Sequence, residues 1–180
     1  VIAPSAISTA TRALEKEVKG HQRKLRRAGA RALNKTATKG RNVSSRVIRK
    51  TLNLKAKTVK DQLKVTRATP DNHRSTVQGR YKPVPLIKFN GVRQTKKGVT
   101  VRMRKDKPRM VFKGAFIARM PSGHIGVFRR TSRSRLPIKQ IYGPPVSKIM
   151  GDKLPEIINQ TAPDLEKTLA HEIQYELSKG

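Results

Sequence analysis

Four histidines and eleven carboxylates are the side chains of this chain able to move protons or hold a metal. His21, His73, His124 and His171 are scattered along it. None of them has a second histidine or a carboxylate at metal-ligand spacing on a common face. His171 and Glu172 are neighbours in sequence, so on a helix they should point apart. Cysteine is absent, which excludes disulfides and thiolate-held zinc or iron–sulfur sites. Gly114, Gly123 and Gly126 do not follow a strand and open a helix, so they form no phosphate-binding loop. No G-x-S-x-G nucleophile turn occurs. The carboxylates gather at residues 151–180, where a solvated helix face is the expected arrangement. The sequence therefore points to no catalysis, no cofactor and no metal.

What the chain does offer is anion binding. Lys and Arg number 42 against 11 Asp and Glu, a net charge of +31. Such a surface repels itself and attracts polyanions. The charge is uneven. Between Glu17 and Asp61 there are 15 lysines and arginines and no acid, whereas residues 151–180 are net −3. Two clusters are the candidate contacts to DNA or to an acidic partner: Arg23, Lys24, Arg26, Arg27 and Arg31 in HQRKLRRAGAR, and Arg129, Arg130, Arg133 and Arg135 in RRTSRSR. A solvated helix face is the alternative for the first; the second sits in a loop, and its arginines suit phosphates and carboxylates equally. No aromatic RNA-recognition motif, zinc finger or helix-turn-helix is present, so contact to a nucleic acid would be backbone-directed and sequence-tolerant.

These residues need elements to position them. Residues 5–38 read as a long helix, with Ile7, Thr11, Leu14, Val18, His21, Leu25, Ala28 and Ala32 recurring every three or four positions. Ser5 or Ser8 is placed to cap it, and Gly20 and Gly29 weaken it. A second helix is expected at 41–52 and a third, short one at 55–62. Strands follow at 63–65, 74–78 and 84–89, the last an edge or bulged strand because of Pro83 and Pro85. Val99, Val101 and Met103 alternate with Thr100, Arg102 and Arg104, the pattern of a half-buried strand. Met110 to Arg119 and Ile125 to Arg129 are expected to pair through the turn Pro121-Ser122-Gly123. A final helix spans 151–178, with Leu154, Ile157, Ile158, Leu165, Leu169, Ile173 and Leu177 inward and Pro163 able to kink it. The fold class is α+β: a long N-terminal helix and short helices, a central, mainly antiparallel β-sheet and a C-terminal helix. Its regions are a basic helical 1–62, a β-rich 63–150 and an acidic helix at 151–180, forming one compact unit with an N-terminal helical arm. No apolar run reaches the roughly 18 residues that a membrane span needs, and no signal-peptide core opens the chain.

One segment, RLPIKQIYGPPVSKIM from Arg135 to Met150, combines three prolines with six large aliphatic residues. Leu136, Pro137, Ile138, Ile141, Tyr142, Gly143 and Pro144 are the candidate subunit-interface anchors within it. Its prolines hold an extended path, so little entropy is lost on docking. A buried connector between the preceding hairpin and the last helix is the alternative.

The ordered set ALNKTA (Ala32 to Ala37), SSRVIRK (Ser44 to Lys50), GAFIA (Gly114 to Ala118), G-VFRR (Gly126 to Arg130) and RLPIKQIYGPPV (Arg135 to Val146) resembles the minor tail protein Z family of lambda-like bacteriophages and prophages. The resemblance spans roughly residues 5–150, and it places Asn34, Phe116, Phe128, Arg130, Arg135, Pro137, Gly143 and Pro144 at motif positions. It implies a structural virion protein and no enzyme: a tail-completion or neck subunit at the head-proximal end of the tail, supporting head–tail joining and DNA passage. It also implies a homo-oligomeric ring, by analogy a hexamer, touching other tail and neck proteins, assembled in the host cytoplasm and located in the virion. Partners on this reading are protein and DNA, with no membrane. Composition alone suits a ribosomal or nucleoid-type nucleic-acid-binding protein. The alternating strands, the acidic last helix and aromatics of only 4% oppose that reading.

Overall fold

The computed structural model describes the backbone of residues 4–179 and the side chains from Lys16 to Lys179. The expected apolar positions Ile7, Thr11 and Leu14 and the Ser5 or Ser8 cap lie outside the described side chains.

One helix, α1 (Pro4–Thr51), replaces the two expected at 5–38 and 41–52. The break was expected at Lys39-Gly40, but Gly40 is buried, and a Cβ there would meet Thr161 at 3.5 Å. Tertiary packing thus compensates for the weak helix propensity of glycine, about 1 kcal/mol relative to alanine. Gly20 and Gly29 also lie within the helix.

The remaining elements are short. They are α2 (Ala56–Asp61), β1 (Leu63–Thr66), β2 (Thr76–Gly79), β3 (Pro83–Pro85), β4 (Arg93–Thr95), β5 (Gly98–Val101), β6 (Met110–Lys113), β7 (Ala115–Arg119), β8 (Ile125–Arg130), β9 (Ile138–Gln140) and β10 (Tyr142–Pro145). Two helices, α3 (Val146–Asp152) and α4 (Leu154–Leu177), close the chain. The α+β class holds. The strands are distributed over four small sheets: β1–β2, β3–β10, β4–β5–β6 and β7–β8–β9.

The chain divides into two compact units. The first comprises α1 up to Gly40, Val65–Thr76 and the chain from Asn159. Here α1 turns small residues inward, with Ala28 and Ala32 fully buried and Ala30 and Ala37 nearly so. Small side chains let neighbouring backbones approach closely.

The second unit, Arg41–Lys64 with Val77–Ile158, holds the larger core. Ile48, Leu52, Val59, Val84, Leu86, Val99, Val101, Val127 and Val146 are fully inaccessible or within a percent of it. At roughly 1.5–3 kcal/mol for each fully buried aliphatic side chain, this cluster is the main source of that unit's stability. The C-terminal end of α1 is tied to it through Asn53. Its N–H donates to the Met103 carbonyl at 2.8 Å, and its Nδ2 donates to the carbonyls of Asn90 and Arg102, each at 3.2 Å.

The alternation of 99–104 is real but ends early: Val99 and Val101 are buried in β5, and the strand stops at Val101. At its start Gly98 has φ +139°, and a Cβ there would lie 2.1 Å from the Phe112 carbonyl oxygen, so β6 can approach only a glycine. The expected strand 110–119 is two strands in different sheets, because Gly114 at φ +68° turns the chain between β6 and β7. The hairpin across Pro121-Ser122-Gly123 forms as β7–β8, with Arg119 opposite Ile125 and Phe116 opposite Phe128. The stretch 84–89 is strand only to Pro85 and then a single 3-10 turn, Leu86–Lys88. The final helix is preceded by a separate turn of helix, α3, and Pro163 lies within α4 without dividing it.

Candidate cationic interface

In the first unit α1 and α4 meet through an ion-pair ladder. Arg31, Lys35 and Lys39 recur every fourth residue, so they share one helix face. Across from them stand Glu176, Glu172 and Asp164. Arg31 Nε donates to Glu172 Oε2 at 2.8 Å, and its Nη2 pairs with Glu176 Oε1. Lys35 Nζ donates to Glu172 Oε1 and Lys39 pairs with Asp164. The Arg31 guanidinium also lies over the Tyr175 ring, 5.3 Å from its centroid.

Glu172 is 2% exposed and Glu176 7%. The hydrogen bond from Lys35, joined by that from Arg31, outweighs desolvation and holds the Glu172 carboxyl below the usual glutamate range. Burial works against the Arg31 charge, but hydrogen bonds to Glu176 and Glu172 more than offset it and raise its pKa. The solvated acidic face expected for the last helix is therefore wrong for these two glutamates. His171, expected to point away from Glu172, has Nδ1 3.8 Å from Oε1, beyond hydrogen-bond length.

The acids take the contact face of α4, and this displaces its apolar residues. Ile157 is buried and Leu165 and Ile173 half-buried, but Leu154, Ile158, Leu169 and Leu177 are 37–51% exposed. The inward apolar stripe expected from periodicity is only partly inward. Signal for the ladder was present in the sequence, as cations spaced by four and acids at 164, 172 and 176, but periodicity of apolar residues does not report it.

A loop of the same unit packs on another side of α1. Asn34 Nδ2 donates to the Ala68 carbonyl at 2.9 Å while the Ala68 N–H donates to Asn34 Oδ1 at 2.8 Å. His73 Nε2 lies 3.0 Å from the Arg26 carbonyl oxygen, and Arg26 Nη1 is 3.9 Å from Asp71. Lys19, Gln22, Arg23 and Arg26 with Pro70 and Asp71 line a shallow cleft of about 320 Å³.

The first candidate cluster is thus divided. Arg31 is committed to α4, and Arg26 makes one long ion pair. Arg23 and Arg27 are exposed and Lys24 half-exposed, and none of these three makes an ion pair among the described residues.

The second cluster belongs to the other unit. Arg129 and Arg130 end β8, where Arg129 stands opposite Ala115 and Lys139. Arg130 lies over the Phe116 ring at 5.0 Å. Beyond them, the N–H and Oγ1 of Thr131 both donate to the Pro137 carbonyl, at 3.2 and 3.0 Å, and so close the loop 131–137. Arg133 and Arg135 are exposed within it, and the Leu136–Pro137 peptide is cis.

The proline-punctuated segment is built into the sheets. Ile138 sits half-buried in β9, Ile141 packs on the core, and β10 pairs with β3, Gly143 opposite Val84. A Cβ at Gly143 would lie 2.6 Å from the Phe89 ring, so this glycine admits a core aromatic. Pro144 is half-buried. Leu136 and Tyr142 are the large apolar members left open, at 66% and 45% exposure, and Pro137 is exposed with them.

Among the described residues no group of three or more histidines, cysteines or carboxylates is placed to hold a metal ion. Among the described residues no helix is long and apolar enough to cross a membrane.

The arrangement offers charge and surface, and known sequences match it. Residues 6–179 match the family described as Prophage minor tail protein Z (GPZ). A tail completion protein of Escherichia phage N15 is 30% identical over 142 residues, which cover 73% of this chain and 76% of that protein. No solved structure gives a significant match. Matched over almost its whole length, the chain belongs to the prophage minor tail protein Z family, whose members are structural components of the phage tail.

Proposed function

We propose that this protein is a tail-completion subunit at the head-proximal end of the tail, assembled as a homo-oligomeric ring, a hexamer, that supports head–tail joining and the passage of DNA. The family and the name of the N15 relative support the tail-completion role. The observation that carries the rest is the division of charge along α1. Arg31, Lys35 and Lys39 meet carboxylates of the same chain, whereas Arg23, Lys24 and Arg27, with Arg129, Arg133 and Arg135 of the other unit, meet none among the described residues. With 42 cations to 11 acids, copies of this chain cannot neutralise one another. Stable assembly calls for a polyanion or an acidic neighbour, and the DNA of a filled tail supplies the first. Family membership also sets aside the ribosomal or nucleoid-type reading.

Cryo-electron microscopy of intact particles tests this directly. The expected density is a sixfold ring at the head-proximal end of the tail, with the 23–27 and 129–135 cations toward the lumen. Density elsewhere in the particle, or those cations buried against cationic protein, would refute it.

A further inference from the structure

The second unit contains a groove that involves none of the residues of the cationic interface. One wall is a contact between backbones: β2 ends at Gly79, where a Cβ would lie 2.9 Å from Ser147 Cα at the start of α3. Met150, half-buried, and Leu154, 44% exposed, supply an aliphatic floor. Tyr81 stands beside it at 87% exposure, unusual for a ring in a chain that is 4% aromatic. The charged side chains lining it are Lys64 and Arg80, and no carboxylate lines it. Ser147 Oγ is buried there without a hydrogen-bond partner. The volume is about 420 Å³, room for two or three side chains.

We propose that this groove binds an extended acidic segment of a neighbouring protein, seating an aliphatic side chain on Met150 and Leu154 beside Tyr81 while carboxylates reach Lys64 and Arg80. Charge complementarity selects the occupant. Two cations without a lining acid over an apolar floor fit a peptide that carries both carboxylates and aliphatic groups. A second copy of this chain fits poorly, because its 42 cations repel those of the groove and five of its eleven carboxylates, Asp106, Glu156, Asp164, Glu172 and Glu176, already hold cations of their own chain. A nucleic-acid strand fits poorly too, since one tyrosine over an aliphatic floor gives no platform for successive bases.

The probe is a dye-labelled nonapeptide alternating Glu and Leu, titrated against the full chain by fluorescence anisotropy at about 150 mM salt. Saturable binding is expected, weakened about tenfold by Tyr81→Ala and by Arg80→Glu. It should be unchanged by Lys139→Glu, which makes the same charge change outside the groove, and lost when the leucines of the peptide become serine. Amide shifts of Gly79 and Gly151 should follow the same titration. Four results would overturn the proposal: no binding, equal weakening by Lys139→Glu, no effect of Tyr81→Ala, or displacement of the peptide by a thymidine oligonucleotide in a Tyr81-dependent way.

Discussion

Replacing Glu172 by glutamine removes one charge from the α1–α4 ladder and leaves its shape. Glu172 is 2% exposed and accepts charge-assisted hydrogen bonds from both Arg31 and Lys35. Losing one partner of a fully buried pair costs about 3–5 kcal/mol. Here the cations are not fully buried: the Arg31 and Lys35 side chains are 38% and 60% exposed, so each can turn to water once released. That reduces the expected loss to about one charge-assisted bond, roughly 2 kcal/mol. In a chain of 180 residues the melting midpoint should fall by about 4–8 °C.

Acid should expose the same group. The folded carboxyl lies below its ordinary value of 4.5, so its contribution is complete above that value and is lost as pH falls through the lower, folded one. Glu172→Gln should therefore lie below wild type at neutral pH and converge on it in acid, while Arg31 stays protonated throughout. The assay is thermal and urea unfolding by far-UV circular dichroism from pH 7 to pH 3. A variant within about 0.5 kcal/mol of wild type at pH 7, or a gap that stays constant into acid, would refute the idea that the ladder holds the two helices together.

Other outcomes follow from single contacts. Gly98→Ala should cost about 3 kcal/mol or more, since both its φ of +139° and the Phe112 carbonyl at 2.1 Å oppose a Cβ; soluble yield and urea midpoint measure it. Asn34→Ala should lose about 1–3 kcal/mol with its paired bonds to Ala68 and admit protease within the chain 67–74, read by limited proteolysis. If the loop contacts DNA as proposed, the double change Arg133→Ser with Arg135→Ser should lower the salt slope of DNA binding by about 2 without changing stability, because both arginines are exposed.

The α+β class, the β7–β8 hairpin and the buried face of β5 were legible in the sequence because alternation and turn residues are local. The continuity of α1 was not. Gly40 argues for a break until Thr161, 121 positions on, fills the space beside it. Splitting of 110–119 depended on a backbone angle at Gly114 that composition does not reveal. At the candidate interface, the sequence located the cations and could not divide them: Arg31 looks like Arg27 until the position of Glu172 and Glu176 is known. The proline-rich segment was also readable in two ways. Its apolar residues sort into structural ones, Ile141 and Gly143, and exposed ones, Leu136 and Tyr142, only once β9 and β10 are paired.

The closure at Thr131 and Pro137 has an evolutionary consequence. Both donors of one threonine grip one carbonyl, so the strands on either side keep their alignment whatever occupies positions 132–136. Arginines there can be gained, lost or exchanged in a single step, so a lineage can change the charge of this loop while the rest of the molecule stays as it is.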